Sequence, residues 1–326
     1  MQYKATIVGC GRIGVSFDFD DTDAVLTHAK AFSAHPQVNL VAVMDVNSKI
    51  AKSSGSKWKC EYYSDFQRMI KEQQPDIISI CVPDEFHYEY LLQCLDFKPK
   101  AVIAEKPLTL DIEESNEIVE KYNNVNIPLF VNYTRRYEGF MQSLKYRIET
   151  GDLGQILNTT IKYTKGILHN GSHAIDIANF LFGEYLSGQP LNSVIDYSEA
   201  DPTLSAVLKY ERCPELFLIA CDEYFYSIFE IDIMAEKGRI VFDQSGFRCR
   251  EYGVKKDSVF EGYKDLVLVK EYTTDLNKSI FNLVDNVVQH LDNDKKIICS
   301  GKDALLAQEI CSELIESWDR QQRLAV

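Results

Sequence analysis

The hydrophobic rhythm of the chain changes partway along. In the first third, short and nearly continuous apolar runs end in loops: Ala5-Thr6-Ile7-Val8, residues 39–44, residues 76–82, Ala101-Val102-Ile103-Ala104 and Pro128-Leu129-Phe130-Val131. Runs without polar alternation suit strands covered on both faces, as in a parallel sheet between helical layers. Helical patterns separate them. Residues 86–95 place Tyr90, Leu91, Cys94 and Leu95 on one stripe. Residues 110–122 carry Asp111, Glu113 and Glu114 in the first turn, where acidic groups complement the helix dipole. This alternation predicts an α/β Rossmann domain, a doubly wound parallel sheet, over residues 1–124.

After about residue 155 the period shortens to two. Leu157, Thr159, Ile161 and Tyr163 alternate with more polar neighbours, the mark of an antiparallel strand with one wet face. Comparable stretches recur at 204–210, 216–221, 226–234, 239–242 and 266–269. A closing helix is predicted behind Ser300-Gly301, with Asp303 in its first turn and Leu306, Ile310, Leu314 and Ile315 as its apolar stripe. Residues 125–326 therefore read as a C-terminal α+β domain on a large, mostly antiparallel, open-faced sheet. The exposed face of such a sheet predicts a homo-oligomer, a dimer or tetramer. The aromatic residues between Tyr224 and Phe229 read as packing within it.

Composition narrows the function. The 326 residues fit two domains, and 45% apolar with 26% charged residues is ordinary for a folded protein. With 49 acidic against 35 basic residues, the formal charge of −14 lacks the basic footprint of a protein that binds nucleic acid or anionic lipid. No apolar run approaches the ~18 residues of a membrane span. Met1-Gln2-Tyr3-Lys4 leads into the first strand without a signal-peptide pattern. Nine scattered cysteines with no C-x-x-C pair read as reduced thiols, which makes the cytoplasm the expected location and gives no zinc site.

Gly9-Cys10-Gly11-Arg12-Ile13-Gly14 is a G-x-G-x-x-G directly after the first strand. The first glycine turns the chain, the second lets backbone approach a pyrophosphate, and the third allows close packing of a helix whose N-terminus faces the anion. Asp45, at the end of the second strand, is placed to accept from both adenosine ribose hydroxyls and to repel a 2′-phosphate, favouring NAD over NADP. Gly14 and Asp45 lie 31 positions apart, against a usual gap of about 20. The excess falls in the acidic stretch 16–23, which reads as a solvated insertion at the start of the first crossover helix. An EF-hand does not fit it: counting Asp18 as position one puts Asp23 where glycine belongs and Ala29 where glutamate belongs. No metal is expected.

Four elements in order resemble the Gfo/Idh/MocA family of sugar-type oxidoreductases. They are the glycine loop 9–14, Val82-Pro83 with His87 downstream, Glu105-Lys106-Pro107, and Gly171-Ser172-His173 with Asp176. The likeness runs on to Gly301-Lys302-Asp303-Ala304-Leu305 at the last helix. It implies that Gly9, Gly11, Arg12, Ile13, Gly14, Asp45, Val82, Pro83, His87, Glu105 and Lys106 bind cofactor, with Lys106 beside the nicotinamide and the reacting carbon. Hydride transfer from a carbinol carbon must be accompanied by proton transfer at oxygen. A lysine there stabilises a developing alkoxide, and desolvation lowers its pKa toward proton exchange. In the family, a histidine matching His173 is its acid/base partner. The helix 173–182 is expected to start on Ser172 as N-cap, with Asp176 on the same face to orient the imidazole.

Many relatives carry Asp four residues before that histidine, where this chain has His169. The His-Asn-Gly-Ser-His form looks more like members linked to nucleotide-sugar and surface-glycan pathways, with His169 and Asn170 reading substrate hydroxyls. Asn132-Tyr133-Thr134-Arg135-Arg136-Tyr137 resembles the segment lining the substrate cleft, which makes Tyr133 and Arg136 substrate candidates, although an arginine there can instead pair with a local acid such as Glu138. The expected function is NAD-dependent oxidation or reduction of a nucleotide-linked or amino sugar. A silent NAD-binding regulator of sugar metabolism and a free-polyol dehydrogenase are the alternatives. His28 and His35 belong to no motif and read as structural.

Overall fold

The computed structural model describes residues 2–18 and 23–324. The chain divides into two compact units, Met1–Tyr137 with Asn277–Leu305, and Glu138–Leu276 with Leu306–Val326.

The first unit alternates strand and helix: β1 (Tyr3–Val8), α1 (His28–Ala34), β2 (Val38–Met44), α2 (Ser48–Trp58), β3 (Glu61–Tyr63), α3 (Phe66–Gln73), β4 (Ile77–Ile80), α4 (His87–Phe97), β5 (Ala101–Ala104), α5 (Ile112–Val125) and β6 (Leu129–Val131). The six strands form one parallel sheet in the order β3-β2-β1-β4-β5-β6. β4 and β5 are buried along their whole length, which is what their unbroken apolar runs demand. Helices α2, α3 and α5 enter on side-chain caps: Asn47 accepts from Lys49 and Ile50, Asp65 from Arg68, and Asp111 from Glu113 and Glu114. Asp111 is thus the cap of α5, one position outside the helix. Strand order reverses between β1 and β4, so the carboxyl edge opens there into the crevice where such sheets bind ligands.

The glycine loop is separated from the first crossover helix by the expected insertion. One helical turn forms, with Val15 N–H donating to Gly11 O, and the chain then leaves through a short 3₁₀ segment at Ser16–Asp18. It returns at α1, where His28 N–H donates to Ile13 O and Ala29 N–H to Gly14 O. The helix is interrupted and then resumed on the same carbonyls. Asp18 anchors the excursion and is buried, contrary to a wholly solvated stretch: its Oδ2 accepts from Leu26 N at 2.8 Å and from Thr27 Oγ1 at 2.8 Å. Residues 19–22 of the acidic stretch lie outside the described residues.

The second unit opens with α6 (Gly139–Glu149), β7 (Ile156–Tyr163) and α7 (Ser172–Phe182). It continues through β8 (Tyr185–Ser198), β9 (Asp201–Tyr210), β10 (Cys213–Ala220), β11 (Phe229–Ala235), β12 (Gly238–Asp243), β13 (Arg248–Lys256) and β14 (Lys264–Thr273). These eight strands form one sheet, β14-β13-β12-β11-β7-β10-β9-β8, antiparallel except for the β7–β10 pair. α8 (Ser279–Asn293) then returns to the first unit, and α9 (Gly301–Leu324) begins there and belongs to the second unit from Leu306 onward.

Two packing expectations are corrected. Tyr224, Phe225 and Tyr226 are 86%, 71% and 66% exposed on the loop before β11, and only Phe229 enters the core. On α9 the buried stripe is Ala304, Ala307, Ile310, Cys311 and Leu314, while Leu306 faces solvent. The stripe is offset because Ala304 and Ala307, too small to signal strongly, are the residues that fit inside.

Candidate active site

In the first unit every cofactor candidate lies on the carboxyl edge of the sheet or on the helical turn just past it. Gly9 follows β1 at φ +98°, a region closed to most side chains, and a Cβ there would collide with the Cys81 carbonyl. A Cβ on Gly14 would collide with the Gly9 carbonyl, whereas one on Gly11 would meet nothing within 4 Å. The outer glycines thus hold the loop against β4, and the middle one leaves open space where an anion can approach backbone. Arg12 is exposed and Ile13 half-buried on the same turn. Asp45, just past β2, turns its carboxylate onto the loop, accepting from Cys10 N at 3.0 Å and Asn47 N at 2.9 Å. This open backbone beside a carboxylate has the space and the donors that a dinucleotide needs.

Past β4 and β5 lie Val82-Pro83 and Glu105-Lys106. Here the structure builds a buried polar cluster. Glu105 Oε1 accepts from Asn132 Nδ2 at 2.7 Å and stands 2.8 Å from His28 Nε2, while His28 Nδ1 stands 2.8 Å from Ser79 Oγ. Burial disfavours the His28 imidazolium, but the Cys81 sulfur and the Glu105 carboxylate outweigh it and carry the imidazole up to about 10. His28, Cys81 and Glu105 are near enough to one another to hold a metal ion. The bond lengths argue otherwise: 2.8 Å between Nε2 and Oε1 is a hydrogen bond, and donors around tetrahedral zinc stand roughly 3.3 Å apart. Each ring nitrogen already has its own partner. The cluster holds protons.

His87 is fully buried at the head of α4, its two nitrogens facing Pro107 O at 2.7 Å and Val82 O at 3.0 Å. It contacts the loop backbone, a structural task in place of the expected approach to cofactor. Tyr133 is buried. Arg136 is also buried and is spent internally, its Nη1 donating to Asp303 Oδ1 at 3.0 Å and to Ile298 O at 3.2 Å. Substrate contact through Arg136 would require breaking that pair. The acid it finds is Asp303, 167 positions away, while the neighbouring Glu138 caps α6 through Met141 N.

The second unit carries the other candidates on an irregular turn. Residues Gly166–Gly171 form a single π-helical turn, and α7 continues from it without a break. Ser172 is therefore the first residue of α7 and not its N-cap; that position is Gly171, and Ser172 Oγ donates to His169 O at 3.4 Å. The turn is tied down by three carboxylates, Asp196 near the end of β8, Asp201 at the start of β9 and Glu223 on the loop after β10. Asp201 accepts from Leu168 N at 2.7 Å and His169 N at 3.0 Å. Burial raises the Asp201 pKa, against the pull of those amides. Asp196 accepts from Lys165 N and Glu223 N, and Glu223 accepts from Thr164 Oγ1 and pairs with Lys165 Nζ, both at 2.8 Å. His169 stacks on Tyr197 at 4.7 Å between ring centroids, and Asn170 Nδ2 donates to Thr164 O at 2.9 Å. His173 stands half-buried in the first turn of α7, with buried Asp176 three residues on.

Sequence reasoning missed His28, Asn132 and Asp201. His28 sits beyond the insertion, and no local spacing links Asp201 to the turn it holds. Asn132 carried a signal, since it directly follows β6 on the same edge as Lys106.

Residues 3–133 match the family model described as "Oxidoreductase family, NAD-binding Rossmann fold", named GFO_IDH_MocA. Inositol 2-dehydrogenase of Rhizobium meliloti (strain 1021) is 21% identical, with all of both chains covered. Among solved structures, an oxidoreductase of Desulfitobacterium hafniense named for NADPH superposes with a TM-score of 0.81 at 14% identity, covering 97% of this chain and 95% of that one. The WlbA dehydrogenase from Bordetella pertussis, solved with NADH and UDP-GlcNAcA, superposes at 0.76 with 18% identity, covering 97% and 96%. At these identities the structures show a shared fold. Among the described residues no helix is long and apolar enough to cross a membrane.

Proposed function

We propose that this chain, a member of the Gfo/Idh/MocA family of NAD-binding oxidoreductases, transfers a hydride between NAD and a hydroxyl or keto group of a nucleotide-linked or amino sugar. The observation that carries the reading is the placement of Lys106. It follows β5, two strands from the glycine loop along one carboxyl edge, or roughly 10 Å at the usual strand spacing. A dinucleotide whose pyrophosphate rests on residues 9–14 reaches from there toward β5. NAD, when bound, supplies the hydride acceptor. The chain supplies the rest: Asp45 selects the ribose, and Lys106 stabilises charge at the substrate oxygen. His173 takes the hydroxyl proton in oxidation and returns it in reduction, while His169 and Asn170 read neighbouring hydroxyls.

The test is nicotinamide absorbance during incubation with a panel of nucleotide sugars, amino sugars and free polyols. Turnover should appear with a nucleotide or amino sugar and fall at least ~100-fold in Lys106→Met and His173→Ala. Full turnover in both variants would remove the mechanism. The full-length likeness to an inositol dehydrogenase supports free polyols as a second substrate class, and the same panel separates the two. The nine free thiols fit a cytoplasmic enzyme. Leu191, Ile195 and Tyr197 are exposed on edge strand β8, as are Val267 and Val269 on β14. These support a homo-oligomer through the second unit, which light scattering after size exclusion measures.

A further inference from the structure

Lys106 lies between two residues that buried histidines hold. On one side, the Glu105 carboxylate is gripped by His28 and Asn132. On the other, His87 Nδ1 stands 2.7 Å from Pro107 O, and its Nε2 stands 3.0 Å from Val82 O. Both His87 partners are carbonyl oxygens, which only accept. The His87 ring bridges the two segments, with an N–H that can donate to either carbonyl. The gripping groups come from separate parts of the first unit: α1, the head of α4 and the residue after β6. None of the three local sequences announces the others.

We infer that His28 and His87 form a clamp that fixes the backbone on both sides of Lys106 and so sets where its ammonium points during turnover. They are positioning residues. The inference rests on the reading that Lys106 acts at the substrate oxygen. A side chain on a loose strand end samples many directions, and misplacing a reacting group by about 1 Å can cost ~10²-fold in rate. The clamp removes that freedom without touching substrate. The Lys106–Pro107 peptide bond, which is cis, lies inside the clamped segment.

The experiment uses the full chain with saturating NAD. His87→Gln keeps one donor group and His28→Ala keeps none, so His28→Ala should lower kcat at least ~30-fold and His87→Gln about tenfold, with NAD Kd and substrate KM within about threefold of wild type. His28→Gln, which retains an amide donor toward Glu105, should recover part of the His28→Ala loss. Parallel loss of thermal stability with unchanged kcat per folded molecule would overturn the clamp. Should either variant fail to fold, ¹⁵N-histidine NMR of the wild type at pH 8 decides the matter. A His87 ring N–H signal protected from exchange with water is expected, and a ring N–H in rapid exchange would overturn the assignment. Lys106→Met keeps the two failures distinct. If it leaves turnover intact, the role of Lys106 falls while the NMR result still judges the His87 bonds.

Discussion

The two units position their candidate residues by opposite means. In the first, place is set by topology. Parallel strands end at one edge, and Gly9, Asp45, Val82 and Lys106 fall there because each comes closely after a strand. In the second, the candidates do not sit at strand ends and are held by side chains remote in sequence. His169, Asn170 and His173 ride on a π-turn and helix head whose shape depends on Asp196 near the end of β8, Asp201 at the start of β9 and Glu223 on the loop after β10. A parallel edge tolerates changes in side chains but none in backbone space. A carboxylate-tied turn behaves the other way round.

That contrast can be broken at its strongest point first. Gly9→Val demands a β-branched residue at φ +98° and drives it into the Cys81 carbonyl. It should abolish NAD binding and cost at least ~3 kcal/mol of stability, read by NADH fluorescence titration and urea unfolding. Asp201→Ala should spare NAD affinity while removing the acceptor for two half-buried amides, at roughly 1 kcal/mol each, and turnover should fall with it. If NAD binding fell as steeply as turnover, the division of labour between the units would be wrong. Asp45→Ala should raise the NAD Kd ~10-fold and narrow its preference over NADP, measured with both cofactors.

A pH series sharpens the first unit further. The His28 pKa rises from 6.5 to about 10 on folding, so its stabilising effect is complete below 6.5 and disappears as pH rises through 10. Wild type and His28→Gln should therefore differ most in urea midpoint near pH 6 and converge toward pH 10.5. The smallest effect is expected at Phe225→Ser on the exposed loop, within about 0.5 kcal/mol, seen in the same unfolding assay.

The same contrast explains what could be read in advance. Fully buried strands leave unbroken apolar runs, so β1, β2, β4, β5 and β6 were visible, together with the glycine loop and the residues after it. β3, α2 and α3 were not. β3 has three residues, and the helices α2 to α5 end on Lys59, Gln74, Lys98 and Asn126 in the left-handed region, where glycine would have been the audible stop. In the second unit, β8 is mostly wet and irregular in register, and β13 is half-exposed, so neither alternates cleanly. The π-turn left no trace, because its cause lies at Asp201, some thirty residues downstream. The return of Asn277–Leu305 to the first unit has no marker either. Arg136 shows the same limit: its partner Asp303 is remote, and only folding brings the two together.

The interrupted first helix has one more consequence. Because His28 and Ala29 take up the carbonyls of Ile13 and Gly14, the stretch between Val15 and Thr27 is a parenthesis in the fold: the segments on its two sides join across the gap. Length at this place is uncoupled from the nucleotide loop, provided the Asp18 latch to Leu26 and Thr27 and the Val25 N–H bond to Asn277 O are kept. A foreign segment spliced between the two latched ends would rethread no strand.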